Sequence, residues 1–203
     1  MKYIDSWKDP EVFKYQLALN QRQLSPSGRY PSHWLHFIDC MDELQNITRI
    51  VDIGCGAGAY CALSQRHFPD KDYIGYDYSE SAVSTASRAW DGGFECRDYK
   101  DLSEGDVKPG DVVVANALCD VLPNGDECFE HLLSLKADSL IIQRMKITGW
   151  PSFYKTYDAY NITTYAFHHK EQDVIDSIQK HGYEYKESKM DQVNFNFLLR
   201  KIT

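Results

Sequence analysis

The densest chemical signal in the sequence is Val51-Asp52-Ile53-Gly54-Cys55-Gly56-Ala57-Gly58. Glycine lacks a Cβ, so its backbone turns tightly and lets a ligand approach closely. These glycines directly follow a β-branched run, Arg49-Ile50-Val51-Asp52-Ile53. The pattern predicts a buried strand that hands a ligand-binding loop to the start of a helix. The first turn of such a helix leaves backbone N–H groups without intrahelical partners. A second acid, Asp77, follows another short strand, Tyr73-Ile74-Gly75-Tyr76. In a doubly wound sheet a carboxylate at that place accepts hydrogen bonds from ribose hydroxyls. The alternative for Asp77 is a cap on the helix that Ser79 opens.

Two nucleotide chemistries fit the glycines. Gly54-x-Gly56-x-x-Ala59 satisfies a nicotinamide-dinucleotide fingerprint, which keeps a nicotinamide-dependent oxidoreductase open. Asp52 argues against it, because a carboxylate two residues before the first glycine repels a diphosphate. It attracts an ammonium or a sulfonium. The sign of the charge therefore favours S-adenosylmethionine, which is cationic at sulfur and at its amine.

From about Arg49 to Gln143, and again in its C-terminal hairpin, the chain resembles the class I S-adenosylmethionine-dependent methyltransferases. The resemblance implies that Asp52, Gly54, Cys55, Gly56 and Gly58 hold the methionine part of the cofactor. It implies that Asp77, with Tyr78 beside it, binds the ribose. Asp98 would meet the adenine amine and Tyr99 would border the ring; the alternative for Asp98 is an ordinary loop acid. Asn116 falls where the family places a residue near the methyl group. The implied fold is α/β: a doubly wound, mostly parallel seven-stranded sheet ending in an antiparallel hairpin.

Methyl transfer from a sulfonium needs alignment and exclusion of water more than a catalytic triad. A base is needed only when the acceptor holds its proton near neutral pH. His33 is the first candidate for that base, with His168 or His169 second and Tyr30 alongside; the alternative for each histidine is a surface or internally satisfied side chain. Family members that methylate base amines often carry an acid or amide, two prolines and an aromatic after the fourth strand. Here that place reads Asn116-Ala117-Leu118-Cys119, without a proline. The net charge of −8 also argues against a phosphate backbone as partner. A small-molecule acceptor, methylated on oxygen or nitrogen, is the expected substrate. The alternatives are a methyltransferase acting on RNA or protein, and a non-catalytic cofactor-binding subunit.

The elements that must position these residues follow from local pattern. Asp9-Pro10-Glu11 predicts a capped helix start running to about Leu24. Ser32 is expected to cap a second helix to about Leu44, with Trp34, Leu35, Phe37, Ile38 and Met41 on its apolar side. Strands are expected at 49–53, 73–76, 94–96, 111–115 and 139–143, alternating with helices at 60–68, 79–90 and 128–135. A helix over Glu171–Lys180 precedes a hairpin of Tyr183–Lys189 and Val193–Arg200, joined by Met190-Asp191-Gln192. The stretch from Lys146 to Lys170 fits neither helix nor strand cleanly. It holds Trp150, Tyr154, Tyr157, Tyr165, His168 and His169.

One domain is expected over residues 1–203. Its parts are an N-terminal helical cap segment (1–46), a cofactor-binding core (47–145), an aromatic-rich insertion (146–170) and a C-terminal helix and hairpin (171–203). The insertion and the segment around Tyr30, His33 and Trp34 are expected to close over the cofactor as a cap and to bind the acceptor. Arg144 and Gln143, which end the fifth strand, are candidates to meet an anionic acceptor; the alternative for Arg144 is a simple surface charge. The alternative for the aromatics is core packing of a small subdomain.

At 203 residues, 43% hydrophobic and 26% charged, the composition excludes a disordered, collagen-like or coiled-coil chain. None of the six cysteines has C-x-x-C spacing, so no metal site is expected. Residues Met1 to Asp9 lack an apolar signal core, and no apolar run is long enough to span a membrane. The expectation is a cytoplasmic protein with reduced thiols and no membrane contact; its oligomeric state is open.

Overall fold

A computed structural model describes residues 6–191 and 194–202. Met1 to Asp5, which belong to the signal-segment reading, lie outside the described residues. So do Gln192 and Val193 of the expected hairpin. The helices are α1 (Pro10–Leu24), α2 (Ser32–Glu43), α3 (Ala59–His67), α4 (Glu80–Ala89), α5 (Gly125–Ser134) and α6 (Glu171–Lys180). The strands are β1 (Arg49–Ile53), β2 (Asp72–Asp77), β3 (Gly93–Cys96), β4 (Asp111–Asn116), β5 (Ser139–Thr148), β6 (Phe153–Ala159), β7 (Ile162–Lys170), β8 (Tyr183–Lys189) and β9 (Asn194–Lys201).

Strands β3-β2-β1-β4-β5 pair in parallel in that order. β9 then pairs antiparallel with β5, and β8 antiparallel with β9. These are the seven strands expected, with β9 the reversed one. Side chains alternate across the sheet and bury both faces. Val51, Ile53, Val113, Ala115, Leu140 and Ile142 meet Phe129, Leu132 and Leu133 of α5 and Ile178 of α6. Ile50, Val112, Val114, Ile141 and Leu198 meet Trp34, Phe37 and Met41 of α2 and Leu63 of α3.

Two expectations are corrected at the N-terminal end. Pro31, not Ser32, occupies the cap position of α2, and no side chain bonds the helix start. Leu35 is half exposed, and Cys40 takes the inward place instead. The Asp9 cap of α1 is present, with its carboxylate accepting the Glu11 N–H at 2.9 Å.

The larger correction concerns 146–170. β5 runs on to Thr148 rather than ending at Gln143, and the stretch beyond it is a β-hairpin of β6 and β7. Tyr160 and Asn161 both have positive φ, 53° and 62°. That pair makes the two-residue turn whose twist suits a hairpin. β7 pairs in parallel with residues 146–148 of β5, in line with the end of β4. Among the described residues the sheet therefore has nine strands, seven in the core and two in the hairpin.

Candidate active site

A cavity of about 380 Å³ opens at the carboxyl ends of β1, β2, β4 and β5. Open α/β sheets bind ligands at that edge. Asp52, Gly54, Cys55, Gly56 and Ala57 form its floor, with Asp77 and Tyr78 beyond β2 and Asn116, Ala117 and Leu118 beyond β4. His33, Trp34, Tyr60 and Arg144 form a wall. Phe13, Gln16, Leu19, Asn20 and Gln23 of α1 cover it, together with Tyr157, Ala159 and Tyr160 of the hairpin. The hairpin tip reaches α1: the Tyr160 ring lies 6.1 Å from Trp7 and 5.6 Å from Tyr15.

The glycine loop adopts a conformation that side chains resist. Gly54, Gly56 and Gly58 have φ of 77°, 53° and 75°. The Gly54 and Cys55 N–H groups donate to the Tyr76 carbonyl at 2.8 and 3.0 Å, tying the loop to β2. Asp77 completes the tie. Its Oδ2 accepts the Gly56 N–H at 3.0 Å, and its Oδ1 accepts the Ser79 N–H at 2.9 Å. Burial pushes its pKa up to about 6. Asp52 is 1% exposed and accepts from the Tyr73 hydroxyl at 2.7 Å. Burial pushes its pKa up to about 7, with the Tyr73 bond opposing. Burial likewise raises the Cys55 thiol.

Asn116 Oδ1 is buried without a hydrogen-bond partner among the described residues. A buried carbonyl oxygen left open is costly unless something outside the chain donates to it. Two non-glycine residues beside it hold strained backbone: Ala117 has φ 52° and Arg144 φ 63°. Such conformations gather at functional sites.

Several sequence-picked residues lie elsewhere. Asp98 caps the short turn 99–101 through the Lys100 N–H, outside the cavity lining. Tyr99 packs in the core against α5, its ring 5.6 Å from His131. The Tyr30 hydroxyl is held at α3, accepting from Arg66 at 2.8 Å. His168 stacks on Phe153 at 4.6 Å. His169 is fully buried, with Nδ1 2.7 Å from Asp126. Trp150 and Tyr154 are 75% and 54% exposed, and Tyr154 packs edge-on against Tyr165, away from the lining.

His33 stays at the cavity, where burial, with Arg144 adding to it, lowers its pKa to about 3. Gln143 is a structural tie rather than a contact for an anion. It accepts from the Tyr60 hydroxyl, and its amide donates to the His33 carbonyl at 2.7 Å. Among the described residues, no cluster of three or more His, Cys, Asp or Glu could hold a metal ion. No described helix is long and apolar enough to cross a membrane.

The residues missed from sequence are those of α1. Gln16, Asn20 and Gln23 recur at helical spacing on the side of α1 that also buries Val12, Phe13 and Leu24. Amides on an inward stripe were the available sign of a polar cavity beneath.

Residues 51–138 match a methyltransferase domain family. Trans-aconitate 2-methyltransferase of Escherichia coli is 34% identical over 116 residues, covering 52% of this chain and 45% of that enzyme. The chain thus spans about half the length of the curated relatives it matches. Magnesium protoporphyrin IX methyltransferase from Synechocystis, solved with S-adenosylmethionine bound, superposes with a TM-score of 0.62 at 16% identity. That superposition covers 98% of this chain and 91% of that one. Human N-acetylserotonin methyltransferase superposes at 0.64 with 13% identity, covering 95% of this chain and 56% of its own.

Proposed function

We propose that this chain, a member of the class I S-adenosylmethionine-dependent methyltransferases, binds S-adenosylmethionine over its glycine loop and methylates an oxygen or nitrogen of a small molecule. The observation that carries the reading is the sorting of charge within one cavity. The glycine-loop end presents Asp52, Asp77 and the open Asn116 Oδ1, with no cation among them. Such acceptors suit an ammonium, a sulfonium and a ribose diol, and they repel a dinucleotide diphosphate.

When bound, the cofactor supplies a methyl carbon on a good leaving group. The chain's residues supply the rest. The Gly56 and Ser79 N–H groups fix Asp77, and each of its oxygens keeps a lone pair for a hydroxyl. Tyr73 fixes Asp52 on one oxygen and leaves the other to face positive charge. Gly54 and Gly56 keep the floor open: a Cβ at Gly54 would lie 3.0 Å from Leu118, and one at Gly56 2.8 Å from Gln16. α1 and the hairpin cover the cavity and exclude water from the transfer.

A small acceptor is supported by the cavity's size, within the range of small-molecule sites. The relatives' names point the same way: trans-aconitate, magnesium protoporphyrin IX and N-acetylserotonin are all small molecules. Calorimetry with S-adenosylmethionine and S-adenosylhomocysteine tests the reading. Micromolar binding of both supports it; no binding of either at high micromolar concentration sinks it. Methylated metabolites formed by the isolated chain from labelled cofactor and cell extract would separate an enzyme from a non-catalytic subunit.

A further inference from the structure

We infer that the acceptor is a small carboxylic acid, held as its anion by Arg144 and methylated on a carboxylate oxygen. The inference rests on the methyltransferase reading above and names its substrate class.

Among the described residues, Arg144 is the one lysine or arginine lining the cavity, on β5, two strands from Asp52 of β1 and three from Asp77 of β2. No oxygen of the described residues accepts a hydrogen bond or ion pair from its guanidinium. Arg22, Arg29 and Arg88 lie exposed on the surface, and the other four arginines are engaged. Arg49 holds Asp111, Arg97 holds Asp106, Arg66 reaches the Leu24 carbonyl and Arg200 reaches Glu43. An acidic chain that leaves one arginine unpaired inside a cavity has the donor geometry for a planar carboxylate.

The backbone is bent to place it there. The pairing of β5 with β9 shifts register between Ile142 and Met145. Arg144 sits in that bulge at φ 63°, a conformation side chains rarely adopt. Its own N–H donates to Oδ1 of Asn196 at 3.0 Å, and Asn196 is 1% exposed. A buried amide and a strained residue together aim one charge.

Among the described residues lining the cavity near Arg144, no group is ready to take a proton. His33 is held at about 3, by burial first and the nearby guanidinium second. Burial pushes the Tyr157 and Tyr60 phenols upward. Asp120 is paired to Lys146. An alcohol or amine acceptor needs a base there, whereas a carboxylate has already lost its proton. In the step, a carboxylate lone pair forms the O–C bond as the C–S bond breaks, and that pair goes to sulfur. The products are a neutral methyl ester and a neutral thioether. One positive and one negative charge cancel, and no proton is released.

The test uses the full chain saturated with S-adenosylhomocysteine and reads thermal midpoint and calorimetry. The probes are succinate, glutarate and phenylacetate, their carboxamides, and inorganic phosphate and sulfate. A carboxylate is expected to bind where its carboxamide does not. Arg144→Met should weaken it by at least about tenfold, and Arg144→Lys by less. S-adenosylhomocysteine affinity should stay within about threefold in both variants, which reports an intact fold and cofactor end. With S-adenosylmethionine in place of S-adenosylhomocysteine, turnover of the bound carboxylate should form ester without acidifying a weakly buffered solution.

The inference is overturned if carboxamides bind as well as acids, or if Arg144→Met keeps carboxylate affinity. It is also overturned if phosphate or sulfate binds and no carboxylate does, if no probe binds at about 10 mM, or if each turnover releases a proton. Failure of the wild-type chain to bind S-adenosylhomocysteine is a different result, and it overturns the methyltransferase reading instead.

Discussion

Oδ2 of Asp77 accepts the Gly56 N–H at 3.0 Å, so one carboxylate joins the end of β2 to the loop that follows β1. The other oxygen receives the Ser79 N–H that starts α4. The cap reading and the ligand reading of Asp77 thus describe the same residue. Asp77→Ala is expected to weaken S-adenosylhomocysteine binding about 100-fold, or ~2.7 kcal/mol, the scale of losing hydrogen bonds to a charged group. It should also lower the melting midpoint, because two buried N–H groups lose their acceptor. Asp77→Asn, which keeps one acceptor oxygen, should fall between. Calorimetry and thermal melts check this, and an unchanged affinity in Asp77→Ala would remove the residue from the site.

The raised acids predict a pH dependence. Burial lifts Asp77 to about 6 and Asp52 to about 7. Both therefore hold protons in the folded chain at pH values where an unfolded aspartate does not. The stability linked to them is present at low pH and lost as pH rises through about 6 to 7. A cationic ligand favours the ionised forms and must expel those protons. Affinity for S-adenosylmethionine should fall as pH drops from about 7.5 to 5.5, by up to about tenfold per unit for each carboxyl. Thermal shifts with and without ligand across this range test it. Asp52→Asn should remove that residue's share of the slope and leave Asp77's; a profile unchanged from the wild type would acquit Asp52.

The glycines divide by what lies behind them. A Cβ on Gly58 would lie 2.6 Å from Cδ1 of Trp90, whose indole N–H donates to the Ala57 carbonyl at 2.9 Å. Gly58→Ala, at φ 75°, is expected to cost about 2 kcal/mol or more. A Cβ on Gly56 meets the far end of the Gln16 side chain, which can move. Gly56→Ala should cost about 1 kcal/mol of stability and proportionally more in cofactor affinity. Urea midpoints set against calorimetry separate the two, and equal stability losses would contradict the division.

Among the hairpin tyrosines, Tyr157 lines the cavity while Tyr154 is 54% exposed on the opposite face of β6. Tyr157→Phe is expected to change acceptor KM several-fold without moving S-adenosylhomocysteine affinity. Tyr154→Phe should leave both unchanged. An acceptor effect in Tyr154→Phe and none in Tyr157→Phe would reverse the assignment.

The legible parts were those in which a few adjacent residues decide a conformation. Asp9-Pro10 sets the start of α1, and Gly182, at φ 73°, follows the end of α6. The hairpin of β6 and β7 was not legible. Its turn is Tyr160-Asn161, where asparagine suits positive φ and tyrosine does not. Packing of Tyr160 on Trp7 and Tyr15, far away in sequence, holds the turn. Tyr30 and His168 look like site residues by type. They were claimed by Arg66 and by Phe153, partners that no local pattern reveals.

The sequence by itself determined the glycine loop, its two acids and the alternation of strands with helices along the core, because backbone sterics, hydrophobic period and charge sign act over short spans of chain. Only the tertiary structure decided which of the chemistry-bearing residues share a cavity. Alternation along β6 says that Tyr154 and Tyr157 point to opposite faces, but not which face meets α1; that depends on where the hairpin docks. Arg144 is the sharpest case. The sequence left it open between a contact for an anion and a surface charge; the bulge against β9, tied by Asn196, puts it in the cavity lining.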